Sequence, residues 1–203
     1  MEHIFYPAEN AKGTLILLHG TGGDEHSLLP VARELSNDMN FLGVRGNVNE
    51  NGANRFFKRI AEGVFDMEDL RYRTTELAEF IKTASEKYNF SLETTFLLGY
   101  SNGANIAANA MLGVQNIAIG AILLHAMVPS RDSADLSLAG KHIFMSAGTF
   151  DPLVPKFETE ELYQIFQEKG ASATINWEQN DHRITHSELA AAEKWLANIQ
   201  VIS

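Results

Sequence analysis

Residues Thr94-Thr95-Phe96-Leu97-Leu98-Gly99-Tyr100-Ser101-Asn102-Gly103 pass from an apolar run into a serine bracketed by glycines, and the small-residue-rich segment Ala104 to Leu112 follows. The apolar run reads as a strand covered on both faces, and the segment behind it as a helix. Strand, sharp turn and helix form the setting that a Gly-x-Ser-x-Gly turn requires. Glycines two residues either side of Ser101 let strand and helix approach without a Cβ clash, while the serine takes a strained conformation that projects its hydroxyl. The five-residue pattern alone is also that of an ordinary turn, so its flanks carry the weight.

Outward from this turn the pattern repeats. Apolar runs at Thr14 to Leu18, Phe41 to Val44, Thr94 to Leu98, Ala118 to Leu124, Lys141 to Ala147 and Ala173 to Trp177 read as strands. Between them, Glu68 to Tyr88 and Glu158 to Lys169 place apolar residues at helical spacing. Thr185 and Glu188 form a capping box that starts a last helix carrying Leu189, Ala192, Trp195 and Leu196. Such alternation predicts an α/β fold with a mostly parallel sheet, and no linker-like stretch divides residues 1–203, which read as one domain.

Composition narrows the chemistry. With 26 acidic against 16 basic residues the net charge is -10, which argues against nucleic acid as a partner. No apolar run is long enough to span a bilayer, and Met1 to Pro7 lacks a signal-peptide pattern, so a cytoplasmic protein without membrane insertion is expected. With no cysteine, thiol nucleophiles and thiolate metal sites are absent, and covalent catalysis falls to Ser, Thr, Lys or a carboxylate.

A serine hydroxyl needs a general base, usually His, oriented by a carboxylate. On this topology both follow the serine in the order acid, then His, on loops after strand ends. Asp151 follows the Lys141 strand and His182 follows the Ala173 strand. Taken alone, Asp151 in Asp-Pro reads first as a turn former, and its place in the order tips the balance to the catalytic role. A His182/His186 metal pair would need both on one helical face, whereas the capping box leaves His182 outside the helix. No metal and no cofactor is expected. The main-chain N-H groups of Thr21, in the glycine-rich turn His19-Gly20-Thr21-Gly22-Gly23-Asp24, and of Asn102 are the expected oxyanion donors.

These motifs together resemble the phospholipase/carboxylesterase family of α/β-hydrolases, which includes acyl-protein thioesterases. The likeness spans nearly the whole chain. It rests on Leu17-Leu18-His19-Gly20 with Gly22-Gly23-Asp24, Val44-Arg45-Gly46 with Asn54-Arg55-Phe56-Phe57, the Ser101 turn, Leu124-His125-Ala126-Met127-Val128-Pro129, Gly148 to Pro155, and His182 to Leu189. It implies a three-layer α/β-hydrolase fold with Ser101 as nucleophile, Asp151 as orienting acid and His182 as base, and an ester as the small-molecule substrate. Two features depart from the family pattern: Asp181 stands where a Gly commonly precedes the catalytic His, where it could compete for His182, and the loop carries an extra His186.

Only about fifteen residues separate the Ala118 strand from Lys141, too few for a large cap. The longest irregular stretch, Gly43 to Asp66, is expected to wall an acyl pocket through Phe57, together with Met127 and Val128; the alternative for each aromatic is the core. Arg45 and Arg55 either receive a substrate carboxylate or, as favoured here, hold the loop by ion pairs with Glu50 or Asp66. A serine carboxylesterase acting on small esters is the leading reading. An acyl thioesterase or lysophospholipase for longer chains and an inactive binding protein of the same fold are the rivals, and a homodimer is left open.

Overall fold

A computed structural model describes residues 1–61, 63–132 and 134–200 of the chain. Its frame is a seven-stranded sheet built from β1 (His3–Tyr6), β2 (Thr14–Leu18), β3 (Asn40–Val44), β8 (Thr95–Tyr100), β9 (Gly120–Leu124), β10 (His142–Gly148) and β11 (Ser172–Glu178). The spatial order is β1-β3-β2-β8-β9-β10-β11, with β1 antiparallel to β3 and every other neighbour parallel. All six apolar runs expected as strands lie in this sheet.

Alternate side chains along each strand feed two cores. Ile16, Leu18, Leu42, Leu97 and Leu123 point to one face, where α2 (Met67–Tyr88), α3 (Asn102–Gly113) and α4 (Lys156–Glu168) cover them. Leu15, Leu17, Phe96, Leu98 and Ile122 point to the other, under α1 (Leu29–Leu35) and α5 (His186–Gln200). The result is the three-layer, mostly parallel α/β architecture. Among the described residues, the β9–β10 connection carries no helix and thus no cap.

Local chemistry explains the helix limits. Asp66 caps α2, its carboxylate accepting the Asp69 amide at 3.0 Å, and Asn89 ends it in the left-handed conformation. At α5 the capping box is reciprocal: Glu188 Oε1 accepts the Thr185 amide at 2.6 Å and Thr185 Oγ1 accepts the Glu188 amide at 3.2 Å. None of the described helices is long and apolar enough to cross a membrane.

Two parts of the expectation need correction. The stretch from Gly43 to Asp66 is not irregular: it holds two small hairpins, β4 (Val48–Glu50) with β5 (Ala53–Arg55), and β6 (Arg59–Ala61) with β7 (Val64–Phe65). Asn51 and Gly52, both at positive φ, make the tight first turn, an Asn-Gly signal lying plainly in the sequence. The edge strand β1 lies outside the expected runs, because four residues pairing antiparallel at a sheet edge leave little periodic signal.

Candidate active site

Register brings the site together. Across the sheet Leu18 pairs with Gly99, Tyr100 with Leu124, Leu124 with Ser146, and Gly148 with Glu178. Strand ends thus lie at one level, and the segments leaving them begin with His19, Ser101, His125, Thr149 and Gln179. Ligand sites in open parallel sheets form along this edge.

Ser101 sits between β8 and α3 at φ 51° and ψ -114°, a conformation that costs on the order of 1–3 kcal/mol. Its amide donates to the Leu124 carbonyl at 2.9 Å. A Cβ on Gly103 would stand 1.9 Å from the Leu18 carbonyl oxygen, and one on Gly99 would stand 2.5 Å from that of Gly103. Strand and helix therefore approach to a distance only glycine allows.

His182 Nε2 lies 2.9 Å from Ser101 Oγ, and its Nδ1 lies 2.6 Å from Asp151 Oδ2. Burial alone would push the Asp151 carboxyl up, but hydrogen bonds from His182 and from the amides of Leu153 and Val154 hold it below its ordinary value. An ionised Asp151 only accepts, so His182 carries its proton on Nδ1 and presents the Nε2 lone pair to the serine. This geometry can draw a proton from Ser101.

A second imidazole, assigned no role by sequence reasoning, shares that carboxylate. His125, fully buried and at positive φ just past β9, has Nδ1 3.2 Å from Asp151 Oδ2 and Nε2 3.3 Å from Glu188 Oε2. Both ring nitrogens face carboxylates. Burial pushes the His125 pKa down, but Glu188 first and Asp151 second outweigh it and raise it above the ordinary 6.5. The signal available in the sequence was a histidine ending the apolar run of a central strand. Asp151, His125 and His182 also offer ligand atoms within 4.8 Å of one another, near enough to hold a cation.

The turn after β2 is organised by His19, whose Nδ1 donates to the Gly20 carbonyl at 2.7 Å and whose Nε2 accepts the Gly46 amide at 3.0 Å. Burial lowers its pKa, in keeping with the neutral ring those bonds require. Thr21 and Asn102 both border a cavity of about 260 Å3 that also reaches Ser101 and His182. The Asn102 amide belongs to the first turn of α3, where main-chain N-H groups have no partner within the helix.

Of the expected pocket residues, Met127 lines this cavity and Val128 and Phe57 do not. Phe57 has no exposed surface and meets Phe65 edge to face at 5.0 Å, because an aromatic side chain gains more from the core than from a wet wall. Phe65, Tyr100, Leu153 and Val154 stand in their place. Val128 is buried, its amide donating to Glu158 at 3.0 Å. Asp181 does not compete for His182, since its carboxylate takes the Arg183 Nε at 2.9 and 3.0 Å. His186 turns to Glu34 at 3.1 Å. The two arginines part company: Arg45 is bound by Glu25 and Glu2 away from the cavity, while Arg55 borders it.

An open parallel sheet with a serine turn, an imidazole and a carboxylate at the carboxyl ends of its strands is the architecture of an α/β-hydrolase. The model of the phospholipase/carboxylesterase family matches residues 1–200, and the chain belongs to that family. It is 47% identical over 195 residues to MhqD of Bacillus subtilis (strain 168), which bears the name of a hydrolase, covering 96% of this chain and 97% of that one. Among solved structures it resembles the Bacillus cereus carboxylesterase at 45% identity and a TM-score of 0.95, over 98% of this chain and 94% of the other. It also resembles YahD, solved with malic acid, at 32% identity and a TM-score of 0.93, over 97% and 98% of the two chains.

Proposed function

We propose that the protein is a serine carboxylesterase that cleaves small carboxylic esters through an acyl-enzyme on Ser101. The observation that carries this is the continuous relay from Ser101 Oγ through His182 to Asp151, at 2.9 and 2.6 Å. Ser101 Oγ attacks the ester carbonyl as His182 Nε2 takes its proton. The C–O bond to the alcohol then breaks, and the imidazolium returns that proton to the leaving alkoxide. Water, deprotonated by the same His182, attacks the acyl-serine and releases the acid, regenerating the hydroxyl. The amides of Thr21 and Asn102 take the negative oxygen of each tetrahedral intermediate. Asp151 keeps the ring in the tautomer that accepts at Nε2 and stays ionised throughout.

The cavity of about 260 Å3 beside Ser101 has room for a short acyl group. Ser101→Ala is expected to lower kcat on short p-nitrophenyl esters by about 10⁶-fold with an unchanged melting temperature. Turnover surviving in that variant would place the nucleophile elsewhere. Chelators are expected to leave the rate unchanged; a loss restored by a divalent cation would make Asp151, His125 and His182 a metal site instead.

A further inference from the structure

We infer that the cavity beside Ser101 is built for an ester that carries a carboxylate a few bonds from the scissile carbonyl, held by Arg55 and Arg59. This rests on the esterase reading above and names its substrate class.

The cavity departs from the character of the molecule around it. In a chain of net charge -10, the described residues that line it include two arginines and neither Asp nor Glu. Arg55 is only 4% exposed, yet its charge is poorly met. Its Nε donates to the Phe57 carbonyl at 3.2 Å and its Nη1 to Thr21 Oγ1 at 2.6 Å, both neutral acceptors. The nearest carboxylate among the described residues, Glu50, stands 3.8 Å away and is itself engaged by Arg59 at 3.0 Å. Among the described residues one carboxylate thus serves two guanidinium groups, leaving their positive charge in excess at the cavity wall. By contrast Arg45, Arg73, Arg131 and Arg183 each hold a carboxylate within 3.0 Å.

A buried charge without a partner is costly, and a guanidinium matches a carboxylate with paired, parallel N-H donors. Burial and the repulsion of Arg59 already weigh against the Arg55 cation, and the opposite charge of an incoming anion offsets both. The hydrogen bond to Thr21 also fixes the position of that charge beside a residue that lines the same cavity as Ser101 and is assigned an oxyanion amide in the mechanism above. An anionic group bound to Arg55 therefore lies close to the reacting carbonyl, since Arg55 and Ser101 line one cavity. Hemiesters of short dicarboxylic acids have this shape and charge.

Monomethyl glutarate and methyl 5-methylhexanoate, near-isosteric with an isopropyl group in place of the carboxylate, test the idea in a pH-stat assay. The wild-type kcat/KM ratio, anionic over neutral, is expected to be at least tenfold. Arg55→Gln and Arg59→Gln should each lower that ratio several-fold, mainly through KM, Arg55→Lys should recover part of it, and Glu50→Gln should raise it. Should Arg55→Gln fail to fold, Arg59→Gln and Glu50→Gln carry the comparison. A wild-type ratio near one, or a ratio indifferent to these substitutions, overturns the inference while leaving the esterase reading intact. Absence of any Ser101-dependent hydrolysis of either ester overturns the esterase reading itself.

Discussion

Single residues divide the work of the site unequally. Asp151 has both carboxylate oxygens engaged: Oδ1 by the amides of Leu153 and Val154, Oδ2 by His182 and His125. Asp151→Asn would present an amide group to His182 and favour the wrong ring tautomer, so a fall in kcat of about 10⁴-fold is expected in steady-state assays on short esters. His125 stands at one remove, its ring set between the carboxylates of Asp151 and Glu188 where it can position Asp151. His125→Gln removes one charge-assisted hydrogen bond of roughly 1.5 kcal/mol, about a tenfold loss in kcat/KM at neutral pH. It also removes a positive charge next to the relay, so the acidic limb of the pH profile should move to higher pH. A limb that stays in place would make His125 packing alone.

At the scale of elements, the serine turn works because β2, β8 and α3 pack without Cβ atoms between them. Gly103→Ala drives a methyl group into the Leu18 carbonyl, and a loss of about 3 kcal/mol or more is expected in urea denaturation, with activity falling alongside. Gly113 ends the same helix with nothing within 4 Å of the place a methyl group would take, and Gly113→Ala is expected to change stability by no more than about 1 kcal/mol, in the stabilising direction. Comparable losses in both would detach the effect from the close approach. The six mutually parallel strands and the long helices are readable from periodicity, since each satisfies its apolar pattern over enough residues to stand out. The hairpins from Val48 to Phe65 and the edge strand at His3–Tyr6 are not, being two to four residues long and held by partners distant in sequence or by a turn.

Across the whole molecule, the buried group of Asp151, His125 and Glu188 ties the loop after β10, the end of β9 and the start of α5 into one charged cluster. The titration of Asp151 and His125 should be visible in global stability. His125, raised in the folded state, contributes stability that is complete below its unfolded value of 6.5 and is lost as pH rises through the higher folded value. Asp151, lowered in the folded state, contributes above its unfolded value of 3.8 and loses that contribution as pH falls through the lower folded value. Both contributions are complete between 3.8 and 6.5, so the melting temperature followed by calorimetry should decline on the alkaline side of that window. In His125→Gln that alkaline decline should be markedly smaller; an unchanged decline would assign it to other groups.

Sequence alone determined what local rules govern: the alternation of covered strands and amphipathic helices, the glycine-bracketed serine, the capping box that leaves His182 on a loop, and the order of Ser101, Asp151 and His182 that the topology and the family resemblance both require. Tertiary structure decided what depends on distances between residues far apart in the chain. It sent Phe57 to the core and Phe65 to the cavity, turned Asp181 toward Arg183, separated Arg45 from Arg55, and set His125 between the carboxylates of Asp151 and Glu188. The physical reason is that periodicity and turn chemistry act within a few residues, whereas the partner of a buried charge is whichever group the sheet register carries within hydrogen-bond reach.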